Sequence, residues 1–94
     1  MTKLDDFNFE EYISEGERTV ICIAGYCGAC RKAIKEAEFS SQSGIIEITD
    51  PRTIGTRIKL KIKKVPTVII YRDGKEAKRA EGTAALFDIL NGQA

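Results

Sequence analysis

The sequence predicts an α/β fold, a four-stranded mixed sheet flanked by three or four helices. Three observations predict it. First, an unbroken apolar, β-branched run from Thr19 to Ala24 leads into a helical pattern and then a second apolar run, Ile45 to Thr49. That is the strand–helix–strand order of a parallel unit covered on both faces. Second, Thr67 to Arg72 and Lys75 to Glu81 flank Asp73-Gly74, a two-residue hairpin signal. Third, Cys27 and Cys30 fall where the first strand meets its helix, and open α/β sheets place their ligand sites at the carboxyl ends of strands.

Each element has a local cause. Asn8 to Glu15 reads as a short helix, with Asn8 as N-cap, Phe9, Tyr12 and Ile13 on its apolar face, and Gly16 as its stop. From Gly28 onward, Cys30, Ala33, Ile34 and Ala37 recur at helical spacing, while Arg31, Lys32, Lys35, Glu36 and Glu38 take the other side. The polar stretch Ser40 to Gly44 ends that helix. Between Arg52 and Leu60 the pattern suits a helix or irregular turn with Ile54 and Ile58 inward, followed by an extended lead-in to Pro66. Lys75 to Glu81 is less apolar, as suits an edge strand whose charges discourage aggregation. Thr83 caps a last helix with Leu86, Phe87, Ile89 and Leu90 as its buried stripe, and Gly92 ends it.

The chain of 94 residues is expected to form a single domain, 1–94. A chain of that size buries roughly two-thirds of its unfolded surface, enough for one core. Its net charge of +1 gives no global field toward nucleic acid or membrane. No run is long enough to span a bilayer. Met1 to Asp6 carries Lys3 but no apolar run after it, so no signal peptide is expected. The expectation is a cytoplasmic monomer. The absence of histidine removes the commonest metal ligand and general base. Cysteine count is odd, unlike a disulfide-stapled secreted domain, and a CxxC pair in a reducing compartment is more often catalytic or metal-binding than structural.

Chemistry therefore concentrates in Tyr26-Cys27-Gly28-Ala29-Cys30. Two cysteines at this spacing can close a small disulfide ring and reopen it. The first sulfur falls at a helix start, where unpaired N–H groups and the helix dipole favour negative charge. The thiolate is the reactive form of cysteine. Gly28 is expected to permit a tight loop and close approach of a partner backbone. An inert disulfide or half of a zinc site is the competing reading. Zinc usually takes four Cys or His ligands, and this chain has three cysteines and no histidine, so no metal and no cofactor is expected beyond the Cys27–Cys30 disulfide. Cys22, mid-strand among apolar residues, reads as core packing. The basic run Arg57 to Lys64 is by default a solvated face; the alternative is a surface beside Pro66 that selects acidic partners.

From about Phe7 to Leu90 the chain resembles the thioredoxin family. The resemblance rests on the apolar strand, an aromatic residue before CGxC, Arg31 after it, Val65-Pro66-Thr67 opening a hydrophobic strand, and the Tyr71-Arg72-Asp73-Gly74 hairpin. It implies a thioredoxin-like fold with Pro66 in the cis form beside the disulfide, and Tyr26, Gly28, Ala29, Val65 and Pro66 as substrate-binding positions around catalytic Cys27 and Cys30. It implies a protein-disulfide reductase: Cys27 attacks a disulfide in a partner protein, Cys30 resolves the mixed disulfide, and an upstream disulfide reductase restores the pair. A non-enzymatic accessory module, or an oxidase or isomerase using the same pair, are the alternatives. The sequence departs from the family pattern at several places. Ala29 replaces the proline inside the motif and Tyr26 the preceding tryptophan. Ile21 corresponds to the family's buried aspartate and Ile46 to its lysine partner. The first family strand is expected to be missing, leaving four.

Overall fold

The computed structural model describes residues 2–37 and 43–90. Among the described residues five strands form one sheet: β1 (Thr2–Lys3), β2 (Glu17–Ile23), β3 (Gly44–Glu47), β4 (Thr67–Arg72) and β5 (Lys75–Glu81), in the order β1-β3-β2-β4-β5. The expected count of four is corrected. Thr2 and Lys3 pair in parallel with Gly44 and Ile45, and Leu4 beyond them is fully buried. A two-residue strand has too little length for any period to show. β1, β3 and β2 run parallel, while β4 and β5 are antiparallel to their neighbours, so the sheet is mixed.

Four helices among the described residues cover the sheet: α1 (Phe9–Ile13), α2 (Gly28–Ala37), α3 (Ile54–Leu60, after a 3-10 turn at Pro51–Thr53) and α4 (Thr83–Leu90). Alternation along β2 divides the core. Val20 and Cys22 face a cluster with Phe9, Ile13, Ile46, Leu60, Ile69 and Tyr71, which places α1 and α3 on that side. Ile21 and Ile23 face Cys30, Val68 and Leu86, which places α2 and α4 on the other. Residues two apart in a strand share a face, so one step of register reverses all of them. Phe9 and Tyr71 meet edge to face at 5.7 Å, a geometry that adds to area burial.

Local details differ from expectation in three places. Asn8 is the N-cap of α1, its C=O accepting from Tyr12 N–H at 3.0 Å, but its side chain makes no capping bond. Its Oδ1 accepts from Asp5 N–H at 2.8 Å, while Asp5 Oδ1 accepts from Phe7 and Asn8 N–H. Ile54 and Ile58 point outward, 46% and 64% exposed, and Thr53, Thr56 and Leu60 are the buried positions. The cause is Asp6. Its carboxylate accepts from Gly55 N–H, Thr56 N–H and Thr56 Oγ1 at 3.1, 2.7 and 2.6 Å, which turns the Thr56 face toward the sheet. Third, Ile46 lies on the opposite face from Ile21, and Ile45 is the residue paired with Ile21 in register. The expected end of α2 at Ser40 to Gly44 falls largely outside the described residues, as do the Gly92 stop and the side chains of Ala33, Ile34, Phe87, Ile89 and Leu90.

Candidate redox site

The carboxyl end of β2 delivers the cysteines. After Ile23 the chain turns, with Cys27 N–H donating to Ala24 O at 3.0 Å. Cys27 O then accepts from Arg31 N–H at 3.2 Å, the first helical bond of α2. Cys27 is therefore the N-cap of α2. Its Sγ accepts from Cys30 N–H at 3.2 Å, the bond an oxygen side chain makes from that position. Cys27 and Cys30 are joined by a disulfide with Cα atoms 5.2 Å apart. Cys27 is half-buried and Cys30 fully buried, packed with Ile21, Ile23, Val68 and Leu86.

Tyr26 is 77% exposed beside this pair. Gly28 is exposed, and a Cβ there would meet nothing within 4 Å. Its backbone does not need left-handed φ either, so the tight-loop reason for glycine is corrected. Ala29 is helical, and its side chain falls outside the description. Val65 packs against the Cys30 cluster, as Cys27 does, and the Val65–Pro66 peptide is cis. Pro66 O accepts from Gly82 N–H at 2.9 Å, and Thr67 Oγ1 donates to Lys64 O at 2.5 Å. The structure thus brings Cys27, Cys30 and Val65 to one apolar cluster, with Pro66 next in the chain.

Glu47 was not anticipated. It ends β3 opposite Ile23, and its Oε1 accepts from Gly25 N–H at 2.5 Å while Oε2 accepts from Thr49 N–H at 3.1 Å and from the Thr49 hydroxyl. One carboxylate thereby ties the turn carrying Cys27 to the neighbouring strand. The available signal was a lone acid at the end of an apolar strand running parallel to the one that bears the cysteines.

Cys22 belongs to the other face. It is fully buried and unpaired, and burial pushes its thiol up to about 12, partly offset by Arg79. Among the described residues no group of three or more His, Cys, Asp or Glu side chains could hold a metal, and no helix is long and apolar enough to cross a membrane.

A cysteine pair closing a disulfide at a strand-to-helix junction, in a mixed sheet with a cis-proline lead-in next to it, defines an α/β protein with a redox-active disulfide. A thioredoxin family model matches residues 1–92. Thioredoxin of Staphylococcus haemolyticus (strain JCSC1435) is 25% identical over 87 residues, 87% of this chain and 84% of that protein. Thioredoxin f2 of Chlamydomonas reinhardtii superposes with a TM-score of 0.83 at 20% identity, covering 99% of this chain and 95% of the other. Thioredoxin f2 in a complex with ferredoxin:thioredoxin reductase superposes with a TM-score of 0.78 at 20% identity, covering 99% and 94%. The chain belongs to the thioredoxin family, and its close cysteine pair is that of a thiol–disulfide oxidoreductase.

Proposed function

We propose that this chain, as one domain, reduces disulfides in partner proteins through Cys27 and Cys30. The observation that carries the reading is the bond from Cys30 N–H to Cys27 Sγ at the start of α2. A helix N-terminus favours negative charge on a sulfur held there. In the reduced form, the Cys27 thiolate attacks one sulfur of a partner disulfide. A Cys27–partner bond forms, and the other partner sulfur leaves as a thiolate that takes a proton. Cys30 then loses its proton and attacks Cys27 Sγ. The Cys27–Cys30 disulfide forms, the second partner thiolate leaves, and two electrons have passed to the partner. Such exchange depends on thiolate fraction and leaving-group pKa.

Ile21, where the family has its buried carboxylate, packs with Cys30, and this reading gives the Cys30 proton to water. Val65, just before Pro66, offers its backbone N–H and C=O to an extended partner segment, a brief strand addition, with Pro66, Tyr26, Gly28 and Ala29 as the further substrate-binding positions. The reading implies a cytoplasmic monomer and an upstream disulfide reductase. The thioredoxin f2 found in complex with ferredoxin:thioredoxin reductase supports such a partner.

The test is insulin reduction with dithiothreitol as electron source. Wild-type chain should accelerate precipitation, and Cys27→Ser should abolish the acceleration. Equal curves for the two would overturn the reading and favour a non-enzymatic binding module. A redox titration of the pair then separates reductase from oxidase or isomerase: a potential near −270 mV is expected of a reductase and one near −120 mV of an oxidant.

A further inference from the structure

Between Pro51 and Pro66 the sequence carries six cations and no carboxylate. The earlier ones are occupied: Arg52 pairs with Asp50, Lys59 with Glu10, and Arg57 Nη1 donates to Ile48 O at 3.3 Å. Lys61, Lys63 and Lys64 are exposed and form no ion pair among the described residues. Lys61 is left-handed, φ 56°, and closes α3: its N–H reaches Ile58 O, and Ile62 N–H reaches Arg57 O. This turn sends the chain on to Val65, beside Cys27 and Cys30.

A groove of ≈410 Å³ lined by Leu60, Lys61, Lys63, Arg79 and Glu81 opens along this segment. It runs beside the proline, because Glu81 pairs with Thr67 and Gly82 N–H donates to Pro66 O. Glu81 opposes the cations, and Arg79 is already paired with Glu76, so Lys61, Lys63 and Lys64 supply the excess. In α2, directly after Cys30, Arg31 and Lys32 are exposed too. The Cα atoms of Lys63 and Lys64 lie within ~7 Å of that of Val65 along the chain, and charges act over the ~8 Å screening length at physiological salt. An extended partner advances roughly 3.3 Å per residue, so the residues flanking its cysteine pass these ammonium groups.

We propose that the basic surface of Lys61, Lys63 and Lys64 selects protein partners whose target cysteine lies in an extended acidic segment. The proposal rests on the oxidoreductase reading and names its substrate class. The probes are three peptides with one internal disulfide and flanks of Glu, Gln or Lys. The small neutral disulfide bis(2-hydroxyethyl) disulfide reports on turnover alone. Wild-type chain should reduce the Glu peptide about tenfold faster in kcat/KM than the Gln peptide at low salt, within reach of three exposed ion pairs. High salt should erase the difference. Lys61→Gln/Lys63→Gln/Lys64→Gln should lose the preference, and Lys63→Glu/Lys64→Glu should favour the Lys peptide. Equal rates for all three peptides, with the neutral disulfide still reduced, overturn this proposal and leave the reductase reading standing. If wild type reduces nothing, the reductase reading fails. Fluorescence anisotropy of labelled peptides on the oxidised chain then decides the surface: about tenfold tighter binding of the Glu peptide supports it. Equal affinities, or tighter binding of a single-stranded oligonucleotide, overturn it.

Discussion

Glu47→Ala removes the carboxylate that joins the Cys27 turn to β3. Three donors lose their acceptor: Gly25 N–H at 2.5 Å, Thr49 N–H at 3.1 Å and the Thr49 hydroxyl. The two Thr49 bonds are local and lie at the surface, so water replaces them at small cost. The Gly25 bond spans 22 residues of sequence and holds the segment two positions before Cys27. A hydrogen bond to a charged group contributes about 1.5–3 kcal/mol, and partial exposure puts this one at the low end or below. The expected loss is ~1–2 kcal/mol. With a urea slope near 1 kcal/mol/M for a small domain, the midpoint should fall by about 1–2 M. Insulin reduction should slow several-fold as the turn loosens. Glu47→Gln keeps one oxygen for Gly25 but sets an NH₂ against Thr49 N–H, so it should fall between the two. A Glu47→Ala midpoint and rate both indistinguishable from wild type would refute the reasoning, because the turn would then be held by its own Cys27–Ala24 bond.

Other outcomes follow from single residues. A Cβ at Gly44 would meet Leu4 Cδ1 at 2.5 Å and Tyr12 Cε2 at 2.8 Å, and buried Leu4 has little room to yield. Gly44→Ala should cost ~1–3 kcal/mol and lower Tm by about 5–15 °C, read by thermal melts. Lys61→Gly relieves a left-handed lysine and should stabilise by about 0.5–1 kcal/mol in urea melts. Asp50 is held down to about 2, below its ordinary 3.8, chiefly by the Arg52 side chain and then by Arg52 N–H. Its stabilising contribution is complete above about 3.8 and fades as pH falls toward 2. Acid denaturation should therefore begin at higher pH in Arg52→Ala. Cys22, pushed up to about 12 from 9.0 by burial, acts in the opposite sense: its contribution is complete below 9.0 and is lost as pH rises toward 12. At neutral pH, iodoacetamide should label the native reduced chain at Cys27 and leave Cys22 unmodified, as intact-mass and peptide mapping would show.

Much of the architecture was legible from neighbouring residues alone. β4, β5 and their Asp73-Gly74 turn fall where strand composition and turn chemistry put them. Asp73 and Gly74 adopt positive φ of 51° and 86°, which that turn requires. The CxxC stands at the end of an apolar strand and the start of a helix because a glycine break and a change of period, both local, mark the junction. The thioredoxin-like class was readable by resemblance, on the CGxC, Val65-Pro66-Thr67 and Tyr71-Arg72-Asp73-Gly74 residues together. Other features were settled by residues far apart in the chain. Asp6 captures the start of α3, and that distant carboxylate decides that Thr56 faces in while Ile54 and Ile58 face out. Parallel register pairs Ile45 with Ile21 and sends Ile46 to the opposite core, a one-residue choice that composition does not encode. Glu47 reaches Gly25 only because β3 lies against β2. Periodicity and turn chemistry act over a few bonds and can be read in a line of letters. The partner of a carboxylate, or the face a strand presents, depends on which segments fold against each other, and only the assembled sheet decides that.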